Sequence, residues 1–188
     1  MAGGRSGVKL TYDDFLLFPD DGQRHELIDG EHYVTAVPVR RHQKIVMNIG
    51  FLIRLYLEGH PIGEMYSVPM DDILSNVDVV EPDVQYISHQ RLAQLEPSDW
   101  IKGAPNLVVE VASPSTRKRD ATIKRNLYER YGVDEYWIVD PVDDTIQVYR
   151  LVHGRYWLAA ALARERGDVL TTPLLPGLDL PLAKIFQD

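Results

Sequence analysis

The chain has 188 residues with 20 Lys and Arg against 28 Asp and Glu, a formal net charge of −8, so a protein that simply coats nucleic acid is excluded, and contact with phosphate would need a local basic patch or a bound cation. No cysteine is present, which excludes disulfides, thiolate zinc sites and a cysteine nucleophile and makes a reducing cytoplasm the expected compartment. The length suits one domain over residues 1–188, and no apolar run approaches the roughly 18–20 residues that cross a bilayer.

The opening MAGGRSGVKL has no apolar stretch of signal-peptide length, and residues 1–9 are expected to be flexible. LTYDDFLLFP predicts a short helix with Thr11 as N-cap, acids in its first turn and Pro19 as its stop. HELIDGEHYVTAV predicts a hairpin turning at Asp29-Gly30. RRHQKIVMNIGFLIRLYLEGH follows as an amphipathic helix with Ile45, Ile49, Leu52, Ile53 and Tyr56 on one face and Gly59 at its end. GEMYSVPMDDIL and VDVVEPDVQYIS read as strands, the second interrupted by Pro82. A polar connection leads to the apolar strand LVVEVAS, then to a helix from about Arg119 to Tyr131 ended by Gly132. DEYWIVDPVDDTIQVYRLVHGRYWLAAAL predicts a meander of two or three strands with turns at PVDD and HG. The tail GLDLPLAKIF is apolar enough to pack back on the body. The order predicts an α/β (α+β) fold, one mixed sheet of about seven or eight strands flanked by helices.

Three acids stand in strand-like settings: Glu26, Asp83 and Glu110. In an alternating strand Glu110 shares a face with Val108 and Ala112. A carboxylate so placed must be paired, protonated or metal-bound. Pro82-Asp83 lies on a preceding strand, and the helix after Glu110 carries Lys124. Asp120, Lys124 and Tyr128 fall on one stripe of that helix, with Ile123, Leu127 and Tyr131 on the adjacent, core-facing one. Lys124 should thus emerge at the edge of the buried face and reach back towards the strand ends. Two carboxylates and a lysine around one point suit phosphodiester hydrolysis with magnesium or manganese, hard ions that favour oxygen ligands. The lysine would position water or offset charge in the transition state. Arg117, Lys118, Arg119, Arg125 and Arg130 form a basic cluster on the same segment, either a solvated face or a phosphate contact.

EPDVQYIS followed by LVVEVASPS resembles the split signature of the PD-(D/E)XK nuclease superfamily. RHELIDGEHY, EPDV, APNLVVEVASPST, RDATIKRNLYERYGVDEYWIVDP and LPGLDL resemble the Uma-two family of restriction-endonuclease-like proteins, from about Leu10 to Phe186. The resemblance implies a restriction-endonuclease-like core and a DNA endonuclease. Asp83 matches the PD aspartate and Glu110 the second acid. The superfamily lysine would fall at Ala112, and the basic role passes to Lys124. Glu26 matches an acidic position that joins the metal shell, and the Val111 carbonyl is a further metal contact. A homodimer is the expected assembly for an enzyme that cuts two strands.

His25-Glu26 is not a zincin motif, since Asp29 stands where a second histidine would be. His42 reads as a polar residue at a helix start, or a neighbour of the site. Ser113 and Ser115 have no nucleophile elbow and read as strand exit and helix entry. Tyr136, Trp137 and Trp157 read as core or interface aromatics, and Asp140 and Asp143 as turn residues. No phosphate-binding glycine loop is present, so ATP dependence is not expected. Two rival readings remain at this level: a catalytically inactive module that binds nucleic acid or protein on the same fold, and a structural ion pair between Glu110 and Lys124.

Overall fold

The computed structural model describes residues 8–187. Of the segment expected to be flexible, residues 1–7 lie outside the described residues. The chain runs through α1 (Tyr12–Phe15), β1 (Arg24–Ile28), β2 (Glu31–Thr35), α2 (Arg40–Gly59), β3 (Gly63–Ser67), β4 (Asp72–Ser75), β5 (Asp78–Val80) and β6 (Val84–Ser88). It continues with α3 (His89–Leu92), β7 (Ile101–Lys102), β8 (Leu107–Val111), α4 (Arg117–Arg119), a π-helical turn (Asp120–Lys124) and α5 (Arg125–Arg130). β9 (Glu135–Asp140), β10 (Thr145–Val152), β11 (Arg155–Ala163), β12 (Val169–Leu170), β13 (Leu180–Pro181) and α6 (Leu182–Ile185) complete it.

The expected elements form where their local chemistry demands. In α1 the Thr11 hydroxyl and backbone N–H both donate to Asp14 Oδ2. The β1–β2 turn has φ of 52° at Asp29 and 76° at Gly30, the paired left-handed residues of a two-residue hairpin. On the predicted face of α2, Ile45, Ile49 and Ile53 are fully enclosed and Leu52 and Tyr56 are partly buried. The tail packs back as expected, burying Leu178, Leu180, Leu182, Ile185 and Phe186 in the same core. Asp140 Oδ1 accepts from the backbone of Val142 and Asp143, the turn role read for it. Tyr136 and Trp137 are fully buried, whereas Trp157 is 66% exposed and is no core residue. Among the described residues no helix is long and apolar enough to cross a membrane.

The expectation of one sheet with seven or eight strands is corrected. The described residues form a five-stranded sheet, order β2-β1-β5-β4-β7, a six-stranded mixed sheet, order β11-β10-β9-β8-β6-β3, and a β12–β13 ribbon. The two stretches read as single strands each divide between the sheets, β3 from β4 and β5 from β6. The reason is at Pro69 and Pro82. Proline has no N–H for a ladder, so pairing lapses there and the chain crosses from one sheet to the other.

β8 lies between β6, antiparallel, and β9, parallel. Leu107, Val109 and Val111 turn to one face and join the core built on α2. Val108 and Ala112 turn to the other, against Leu127, Tyr128, Ile28 and Val80. Glu110 shares the face of Val108 and Ala112, as its alternation predicted. It therefore looks into the space between the two sheets and the helix of residues 117–130.

The helix stripe is also corrected. Ile123, expected in the core, is 37% exposed, while Asp120, Lys124 and Tyr128 are buried. The π turn over Asp120–Lys124 is wider than an α turn, and this offsets the faces before and after it. The stripe Asp120–Lys124–Tyr128 exists, but it is the inward one.

Candidate active site between the two sheets

Register sets the first pair of acids. Val84 is opposite Val109 and Gln85 opposite Val108. One step further along this antiparallel pair brings Asp83 opposite Glu110 on the same face. β1, in the other sheet, turns Glu26 and Ile28 to the same space, where both are buried. Lys124 enters from the π turn with no exposed surface.

The Lys124 ammonium is the partner of the carboxyl in the apolar strand. Its Nζ stands 2.7 Å from Glu110 Oε1 and 2.6 Å from Glu26 Oε1. The Tyr128 hydroxyl donates to the same Glu110 oxygen at 2.8 Å. Asp83 is held apart from this triad by other donors. Arg24 reaches Oδ1 at 2.6 Å, the Val111 backbone N–H donates to Oδ2 at 2.7 Å, and His42 Nε2 is 3.2 Å from Oδ2. Arg119 stands 3.3 Å from Glu26 Oε2 and donates to Thr35 Oγ1 at 2.6 Å.

The structure thus brings Glu26, Asp83, Glu110, Lys124 and the Val111 backbone together, as the sequence led us to expect. It adds Arg24, Arg119 and Tyr128. Arg24 had a legible signal, since residues 24 and 26 share a face of β1. His42, in the first turn of α2, is the neighbour of the site that one of its two readings expected. Its side chain is buried and turned to Asp83. Among the described residues, no three acidic or histidine side chains converge closely enough to hold a metal ion as they stand. The carboxylates are held by Lys124 and Arg24 instead.

Acid nevertheless exceeds base here. Glu26, Asp72, Asp83, Glu110 and Asp120 are buried around Arg24, Lys124 and Arg119. One ammonium cannot fully offset two carboxylates. Burial drives the Glu110 carboxyl up, and although Lys124 opposes this, neighbouring acids leave it at about 8. Glu26 goes the other way, because Lys124, Arg24 and Arg119 outweigh its burial. Burial likewise opposes ionisation of Asp83, but the His42 hydrogen bond, Arg24 and the Val111 N–H hold it down at about 2. Burial raises Asp72 and Asp120, and burial with Asp71 lifts Glu81 to about 7. Glu26 Oε2, Asp72 Oδ2, Asp120 Oδ1 and His42 Nδ1 are buried without a hydrogen-bond partner.

Two adjoining cavities open over this cluster. One of about 360 Å³ is lined by Arg24, Glu81 and Asp83. The other, about 410 Å³, is lined by His42, Val111, Ala112 and Ser113. Arg24, Thr35 and the 36–38 loop belong to both. Asp83 and Val111, though buried, line these cavities, while Glu26 and Lys124 lie behind them. Most of the basic cluster is engaged with internal groups: Arg117 with Asp140 at 2.5 Å, Arg130 with Asp29 at 2.8 Å, and Arg125 over the Tyr149 ring. Ser113 and Thr116 make the strand-to-helix turn, with the Thr116 N–H donating to Ser113 Oγ.

Mixed sheets flanked by helices define a mixed α/β fold, with Asp83 and Glu110 facing each other and Lys124 beneath them. It is similar to the crystal structure of "a putative nuclease belonging to DUF820" from Anabaena variabilis, with a TM-score of 0.79, 20% identity, and coverage of 94% of this chain and 97% of that one. The chain belongs to the Uma2 family, described as "Putative restriction endonuclease", whose model matches residues 12–183. No curated protein matches it.

Proposed function

We propose that this protein is a Mg²⁺- or Mn²⁺-dependent endonuclease that hydrolyses phosphodiester bonds in DNA. The observation that carries the reading is the facing pair Asp83 and Glu110, Asp83 lining a cleft and Glu110 buried behind it on Lys124. The donor set has the chemistry for a hard divalent ion, its ligands all oxygen and its buried acids outnumbering its buried bases, and its carboxylates would turn from Lys124 and Arg24 to converge on one. Asp83, Glu110 and the Val111 carbonyl would hold the ion, with Glu26 as an additional ligand. When bound, it would polarise the phosphate and lower the pKa of an attacking water.

The chain's own groups do the rest. Asp83 is kept ionised at neutral pH by His42, Arg24 and the Val111 N–H. Arg24 borders both cavities and offers its guanidinium to a phosphate oxygen in the cleft. Lys124 is too deep to touch substrate, so its charge acts through the two carboxylates it orients.

The test is calorimetric titration of chelator-treated protein with Mn²⁺ and Mg²⁺, followed by cleavage assays on DNA and RNA. Binding and cleavage should vanish in Asp83→Asn and Glu110→Gln, with the fold retained. Cleavage surviving in both variants would refute the proposal. The buried Lys124 bridge supports a second reading, an inactive binding module whose triad only holds the fold together. That reading predicts no metal binding by the wild-type protein.

A further inference from the structure

α2 buries Ile45, Ile49, Ile53 and Leu57. Its opposite side should therefore be polar. Instead Met47, Phe51 and Leu55, four residues apart, are 70%, 64% and 54% exposed. They form an apolar ridge along the helix, and no described residue covers it. Such a ridge on a protein surface marks an interaction site.

The charges at its ends indicate the partner. Lys44 and Glu58 are both exposed, and each lies seven residues from Phe51. Met47 and Leu55 each lie four residues from it. Suppose α2 packs antiparallel on α2 of a second copy, with the two-fold axis at Phe51. Phe51 then meets its own mate, Met47 meets Leu55, and Lys44 meets Glu58 at both ends. A two-fold contact requires a patch complementary to itself, and this ridge is one. Ridges at four-residue spacing pack into each other at a crossing angle of about −50°. The other apolar edge, β11 with exposed Trp157 and Leu158, suits a partner less well. It carries a bulge opposite Val148/Tyr149, a feature that disrupts edge pairing.

We propose that the outer face of α2 is a homodimer interface, independent of the catalytic reading. Sedimentation equilibrium of the full chain over a concentration series tests it. The wild-type protein should dimerise reversibly. Lys44→Glu and Glu58→Lys, each turning two attractions per dimer into two repulsions, should each weaken association about tenfold. The double reversal should restore it. Phe51→Glu should give a folded monomer that melts where wild type does at concentrations too low for it to dimerise, since Phe51 lies outside the core. A wild-type protein monomeric at every concentration, a dimer indifferent to Phe51→Glu, or a double reversal no better than the single ones would overturn the proposal.

Discussion

Replacing Lys124 with Met keeps the side chain's apolar stem and removes its charged end. Glu26 and Glu110, whose oxygens lie 2.6 and 2.7 Å from Nζ, would then face each other in a space closed to solvent. Breaking a buried ion pair from one side costs about 3–5 kcal/mol, a large share of the roughly 5–15 kcal/mol that holds a protein folded. For a chain of this size each kcal/mol moves the melting temperature by roughly 2–4 °C, so the variant should melt roughly 6–20 °C below wild type. The deficit should depend on pH. Without the ammonium, both carboxyl groups titrate in the folded state above their unfolded value. A group raised in this way favours folding below its unfolded pKa and loses that contribution as pH rises through the folded one. The gap to wild type should therefore be widest at neutral pH and narrow as pH falls towards about 4. Adding Glu110→Gln to the variant should recover part of the loss. Differential scanning calorimetry across this pH range is the assay. A melting temperature within about 2 °C of wild type at pH 7 would show that the ammonium is not the partner Glu110 depends on.

Three further outcomes are expected. Chelation should lower the melting temperature of metal-loaded wild type but leave Asp83→Asn unmoved, read by thermal scans with and without chelator. The π turn predicts that Ile123→Lys stays within about 0.5 kcal/mol of wild type while Leu127→Ala costs about 2–5 kcal/mol, measured by urea unfolding; the reverse order would return Ile123 to the core. Gly63→Ala should cost about 1–3 kcal/mol in the same assay, because a Cβ there would stand 2.4 Å from the Ile87 carbonyl oxygen and 2.8 Å from Ser88 Cα, atoms of a paired strand that cannot step aside.

The site was legible where burial and charge conflict locally. Glu110 stands out because its apolar neighbours dictate a covered strand. Asp83 stands out because a proline breaks the run before it. The Asp29-Gly30 turn is readable because its backbone favours those two residues. The division into two sheets was not, since strands of two or three residues such as β7 and β5 are too short to show an alternation. A π turn carries no residue signature, so the offset that buries Lys124 and frees Ile123 had no local cue. His42 looks like an ordinary first-turn residue until tertiary packing brings Asp83 against it.

Lys124 fastens three parts of the fold at one point: β1 of one sheet through Glu26, β8 of the other through Glu110, and its own helix. A substitution scan scored on activity alone would therefore misread this position. Loss at Lys124 reports a collapsed junction as readily as a disabled catalyst, and the same holds for Glu26. Asp83 and Arg24 border the open cleft, and there the demands of folding and of chemistry separate more cleanly. Scoring abundance beside activity at each residue would sort the protein's acids into those that keep the two sheets joined and those exposed to selection for what the cleft does.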